Sequence, residues 1–119
     1  MQTIRNHQKG VTRAGLFLAG AALLGVASFA ADKPGDKDKG RDVFSSNCSA
    51  CHNADSKEEL VGPGLLGLYK KETLHNKKKV TDENVMEIIN KGSPVGMPGF
   101  ADGMSSQEKA DVLAYLKTL

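Results

Sequence analysis

Both cysteines of this 119-residue chain fall within five consecutive positions, Cys48-Ser49-Ala50-Cys51-His52. No other feature narrows the possible folds as far. A disulfide between cysteines three residues apart closes almost no loop, so it removes little entropy from the unfolded chain. A structural zinc ion asks for four ligands. Here only Cys48, Cys51 and His52 cluster, with His75 far along the chain. A thioredoxin-like dithiol expects a βαβ setting, and no segment sustains the period of two that half-buried strands require. What fits the spacing is covalent attachment of a c-type haem, for which C-x-x-C-H is the signature. On a helical turn Cys48 and Cys51 project to one side, and each thiol can add to one vinyl group on the porphyrin edge. His52 follows directly, so its imidazole reaches beneath the same ring toward the iron and is fixed there by the thioether links.

A haem also answers a difficulty of composition. The chain has four Phe, two Tyr and no Trp, too few large apolar side chains to build a small core easily. Its length fits one small domain. A formal net charge of +2 is too mild for a dedicated nucleic-acid binder, so no nucleic-acid partner is expected.

The charge is unevenly placed. Residues 1–30 carry Arg5, Lys9 and Arg13 and no acidic residue, and an uncharged run, Ala14–Ala31, follows. This start, closed by the small pair Ser28 and Ala30, reads as a secretory signal peptide cleaved after Ala30. The alternative is an uncleaved membrane anchor. Ala14–Ala31 is at the lower edge of a spanning length, and seven Ala and three Gly make it weakly apolar. Either way the remainder is expected outside the cytoplasm, in the periplasm. Residues 31–38, with Asp32–Lys39 reading DKPGDKDK, are expected to be a flexible charged leader, and residues 39–119 the folded domain.

Three stretches carry helical periodicity. From about Asp38 to Cys48, Gly40, Phe44 and Cys48 share a face at i, i+4 and i+8. From about Asp82 to Lys91, Val85, Ile88 and Ile89 form an apolar stripe, with Thr81 placed as N-cap and Gly92 as a left-handed stop. From about Ser106 to Thr118 the stripe is Val112, Leu113, Leu116 and Leu119, and Ser105 with Glu108 has capping-box spacing. The expected fold is all-α, with about three to four helices and long loops wrapped around the haem.

The chain from Lys39 to Leu119 resembles a class I, monohaem bacterial cytochrome c. GRDVFSSNCSACH is similar to the N-terminal helix and haem site of that family, VGPGLLGL to the segment after it, and GMPGF followed by DVLAYLK to the distal-ligand loop and C-terminal helix. The resemblance implies one haem c attached through Cys48 and Cys51, with His52 ligating the iron and the Pro63 carbonyl accepting from that histidine's other ring nitrogen. It also implies that Gly40 and Phe44 cross the C-terminal helix opposite Val112 and Tyr115.

Met97 is the expected sixth ligand. Its thioether is a soft neutral donor suited to iron opposite histidine, and Pro98 restricts it to extended backbone. Met104 is the rival, Met86 lies on a helical pattern, and His75 would give a bis-histidine site. Gly62 and Gly64 would let the backbone approach the ring closely. Lys70, Lys71, Lys77, Lys78 and Lys79 form either a docking patch for an acidic redox protein or a solvated loop. With both axial positions filled, the iron transfers single electrons and converts no substrate. The expected function is therefore a monomeric periplasmic electron carrier acting between redox protein partners. The alternatives are a membrane-anchored subunit of a respiratory or dehydrogenase complex, and a haem enzyme or gas sensor with a labile distal ligand.

Overall fold

The computed structural model describes residues 33–119, so the expected signal segment, residues 1–30, lies outside the described residues. Three α-helices occur among them: α1, Lys37–Asn47; α2, Asp82–Lys91; and α3, Ser106–Leu116. A short 3-10 turn, Leu68–Lys70, lies between α1 and α2. Among the described residues the only β pairings are isolated bridges, His52 with Glu59 and Thr73 with Lys79.

Each helix begins where a side chain takes up the free N–H groups of its first turn. The Asp36 carboxylate accepts from the amides of Asp38 and Lys39 at 2.9 and 3.3 Å. Thr81 accepts from Asn84 at 3.3 Å. Ser105 and Glu108 form the full capping box that their spacing predicts. Gly92 ends α2 at φ +74°, and its N–H donates to Ile88. That positive φ is one that L side chains rarely adopt.

The start of α1 departs from the sequence reading, in which residues 31–38 are a flexible leader and the domain begins at 39. Lys37 and Asp38 are helical, and the segment before them is tied to α3. The Lys33 amide donates to Gln107 Oε1 at 2.9 Å, and the Asp36 amide to Asp111 Oδ1 at 2.8 Å. Gly35 lies so close to α3 that a Cβ there would sit 2.1 Å from the Ala110 carbonyl oxygen. The charge density of DKPGDKDK concealed this because its partners lie more than 70 residues away in sequence. Asp111 is buried. The Asp36 N–H, helped by the Gln107 amide and Lys39, holds its carboxyl below the usual range against the cost of burial.

Helices α1 and α3 cross with backbones nearly touching. A Cβ at Gly40 would be 1.9 Å from the Asp111 carbonyl oxygen and 2.9 Å from Tyr115 Cβ. One turn on, the Phe44 and Tyr115 rings meet with centroids 5.5 Å apart. Helix α2 adds Val85 and Ile89 to a buried cluster with Phe44, Leu68, Met104, Val112 and Leu116. The Lys117 ammonium pairs with Asp82, linking the end of α3 to the start of α2, and lies 5.9 Å from the Tyr69 ring centroid. No helix among the described residues is long and apolar enough to cross a membrane.

Candidate haem-binding site

The last turn of α1 delivers the cysteine motif. Cys48 is the C-cap, its N–H bonded to the Phe44 carbonyl at 2.8 Å. Both Cys51 and His52 then donate from their amides to the Cys48 carbonyl at 3.0 Å. The five residues thus close a tight turn in which the two thiols and the imidazole arise from one rigid piece of backbone. The last turn of α1 has no basic residue. Instead the side chains of Ser46, Asn47 and Ser49 donate back to the carbonyls of Asp42, Val43 and Ser45. Sequence reasoning passed over these three residues, although S-S-N-C-S, running into the haem motif, is a visible signal of side chains that can cap their own helix end.

Cys48 and Cys51 are both free and half-buried. Burial, with the neighbouring Cys51 adding to it, pushes the Cys48 thiol up to about 11. A catalytic dithiol needs the opposite shift, toward thiolate, so the redox-pair reading has no support here. Zinc has none either, because no group of three or more His, Cys, Asp or Glu converges among the described residues.

His52 Nδ1 lies 2.8 Å from the Pro63 carbonyl oxygen. With Nδ1–H donating there, the lone pair of Nε2 is left for a metal, the arrangement by which an outer carbonyl fixes the tautomer and ring plane of a ligating histidine. The segment carrying Pro63 is folded back onto the motif: Gly62 N–H donates to the Cys51 carbonyl at 2.8 Å and Leu65 N–H to the Asn53 carbonyl at 2.7 Å. A Cβ at Gly62 would stand 2.4 Å from His52 Cε1, so this glycine lets the chain press on the imidazole. Gly64 serves a different purpose from the one the sequence reading assigns. It is buried against backbone, where a Cβ would be 2.4 Å from the Ser56 carbonyl oxygen, and it closes the 53–65 loop on itself.

Met97 is held elsewhere, on the loop that leaves α2. It is half-buried, and its carbonyl accepts from Ser93 N–H at 2.9 Å. Met104 is 7% exposed within the apolar cluster and is core. Met86 is half-buried on α2, and His75 is exposed in a turn. Of the five lysines, Lys78 is paired with Glu87, and Lys71 reaches the Gly64 carbonyl at 3.4 Å.

The residues present suit a haem. The Cys48–His52 turn offers two unpaired thiols and an imidazole with one nitrogen already engaged, the groups that a covalently attached haem requires. Leu60 and Val61, beside the Gly62–Pro63 contact, and Val95, two residues from Met97, are 54, 79 and 90% exposed.

The chain is similar to several known proteins. Residues 35–116 match the family described as cytochrome c oxidase, cbb3-type, subunit III. The chain is 33% identical over 85 residues to a cytochrome c-553-like protein of Synechocystis, a match that covers 71% of this chain and 70% of that one. It is 32% identical over 107 residues to cytochrome c6 of the same organism, covering 85% and 77%. The crystal structure of cytochrome c6 from the diatom Phaeodactylum tricornutum superposes with a TM-score of 0.57 at 26% identity, over 71% of this chain and 93% of that one.

Proposed function

The chain belongs to the c-type cytochrome family, and on that premise we propose that it is a periplasmic electron carrier whose iron is held by His52 on one side and Met97 on the other. It carries one haem c, attached through Cys48 and Cys51, and it is an electron-transfer protein rather than an enzyme. When bound, that group supplies one reversible electron.

The observation that carries the ligand reading is the His52–Pro63 bond at 2.8 Å. It commits Nδ1 to donation and leaves Nε2 as the metal-facing nitrogen. The Cys48–His52 turn is bonded to itself and to the 53–65 loop, so the proximal side barely reorganises between oxidation states, which suits fast single-electron exchange. Met97, on a loop fixed to α2, would hold the iron through its thioether, a neutral soft ligand that would raise the reduction potential. Periplasmic location is supported by the basic, then apolar, then small-residue order of residues 1–30. The partners are redox proteins, and the lysines of residues 70–79 remain the proposed acidic-partner contact, with Lys78 already committed to Glu87.

Met97→Ala tests the ligand set. The ferric holoprotein should lose its sulfur-to-iron charge-transfer band; survival of the band would remove Met97 from the site. A second reading, a subunit of a membrane-bound complex, is favoured by the subunit name of the matched family and by 28% identity to a cytochrome bc1 complex cytochrome c subunit of Corynebacterium diphtheriae. N-terminal sequencing of the mature protein separates the two: a chain still beginning at Met1 contradicts the soluble carrier.

A further inference from the structure

Two glycines face each other across the start and end of the Met97 loop. A Cβ on Gly92 would lie 2.2 Å from the Met97 carbonyl oxygen and 2.8 Å from both Gly99 N and the Pro98 carbonyl carbon. A Cβ on Gly99 would lie 2.5 Å from the Asn90 carbonyl oxygen and 3.0 Å from the Lys91 carbonyl carbon. Backbone therefore packs on backbone from both sides, with no side chain between them that could yield. Hydrogen bonds close the same contact: Ser93 N–H to the Met97 carbonyl at 2.9 Å, Phe100 N–H to the Ile89 carbonyl at 2.8 Å and Ala101 N–H to the Asn90 carbonyl at 3.2 Å.

We propose that Gly92 and Gly99 are positioning residues for Met97, forming a clamp that seats the loop on the end of α2 and sets how readily the Met97 thioether gives way to an outside ligand. The proposal rests on the reading of Met97 as the iron ligand. An intruding ligand binds only the fraction of molecules in which the methionine has swung away, and its apparent affinity scales with that fraction. Anything that lifts the loop from α2 enlarges the fraction. Gly99 is the cleaner probe, because its φ is not among the positive values and alanine there tests space alone. Gly92, at φ +74°, would add backbone strain to the clash. Gly103 provides the control: it lies in the following turn, and its Cβ would make ordinary contacts beginning at 3.7 Å.

The test is titration of ferric holoprotein with imidazole, followed by loss of the charge-transfer band, alongside thermal unfolding by far-ultraviolet circular dichroism. For G99A the apparent Kd for imidazole should fall about tenfold or more, equivalent to about 1.4 kcal/mol, and for G92A by at least as much. G103A should stay within about twofold of wild type. A G99A protein that binds imidazole like wild type, even if it melts lower, overturns the clamp, as does a G103A shift equal to that of G99A. If G92A does not fold, G99A still decides. M97A separates the two ideas. Retention of the band in M97A refutes the ligand assignment, whereas loss of the band in M97A with an unaltered G99A refutes the positioning role alone.

Discussion

Replacing Gly40 with alanine measures how much of the fold depends on the α1–α3 crossing. The new Cβ would stand 1.9 Å from the Asp111 carbonyl oxygen and 2.5 Å from its carbon. Ordinary contact begins at 3.4 Å, so the helices must part by about 1.5 Å (3.4 minus 1.9). Both obstacles are backbone and have no rotamer to adopt. Separation loosens the Phe44–Tyr115 contact at 5.5 Å and opens a path to Val112, which is 1% exposed. Overpacking costs ~1–3 kcal/mol, and this case belongs at or above the upper end because main chain must move. Alanine recovers ~0.8–1.0 kcal/mol of helix propensity. The expected net loss is about 2 kcal/mol. For a domain of this size each kcal/mol is worth about 4–8 °C, so Tm should fall by roughly 8–16 °C. Thermal unfolding of the holoprotein by far-ultraviolet circular dichroism reads this directly, with Ser45→Ala on the exposed side of α1 as the neutral control. A Gly40→Ala protein that melts at or above the wild-type temperature would show that the crossing is not tight, and the reasoning would fail.

Asp111→Ala strands the Asp36 N–H, which now donates to Oδ1 at 2.8 Å; leaving a donor unsatisfied costs ~1–3 kcal/mol, readable as a lower urea midpoint. Because the folded-state carboxyl of Asp111 lies below its ordinary value, its contribution is present above that value and is lost as pH falls through the folded pKa, so wild type and variant should converge in acid. Glu87 is held down to about 2 by Lys78 and then Lys91. A carbon-13 titration should find its carboxylate ionised well below the ordinary 4.5, and Lys78→Ala should return it part of the way; an unmoved midpoint in wild type would contradict the pairing. Gly62→Ala places a methyl 2.4 Å from His52 Cε1. It should shift the imidazole proton resonances of the holoprotein and lower stability by ~1–3 kcal/mol, whereas unchanged resonances would mean that the loop does not bear on the ring.

The helix ends and the haem turn were open to reading because their causes are local. Thr81 and the Ser105–Glu108 pair sit three residues from the amides they serve, and C-x-x-C-H carries its chemistry in five positions. The roles that escaped are those decided by distant backbone. Lys33 and Asp36 look solvated until Gln107 and Asp111 are placed beside them. Gly64 looks like a partner of the ring until the carbonyl of Ser56 is found where its Cβ would be. Gly92 was legible as a helix stop, but its second use, making room for the Met97 carbonyl, depends on a loop geometry that no periodicity encodes.

The attachment of Lys33–Asp36 to α3 has a mechanical consequence. From Asp36 to Cys48 the chain climbs α1, about 18 Å at ~1.5 Å per residue. A pull applied at the N-terminal side is first met by the bonds to Gln107 and Asp111, which divert the load sideways into α3 before it can travel up α1. A domain tethered, fused or surface-immobilised through that end therefore shares the load between α3 and α1 before it reaches the Cys48–His52 turn.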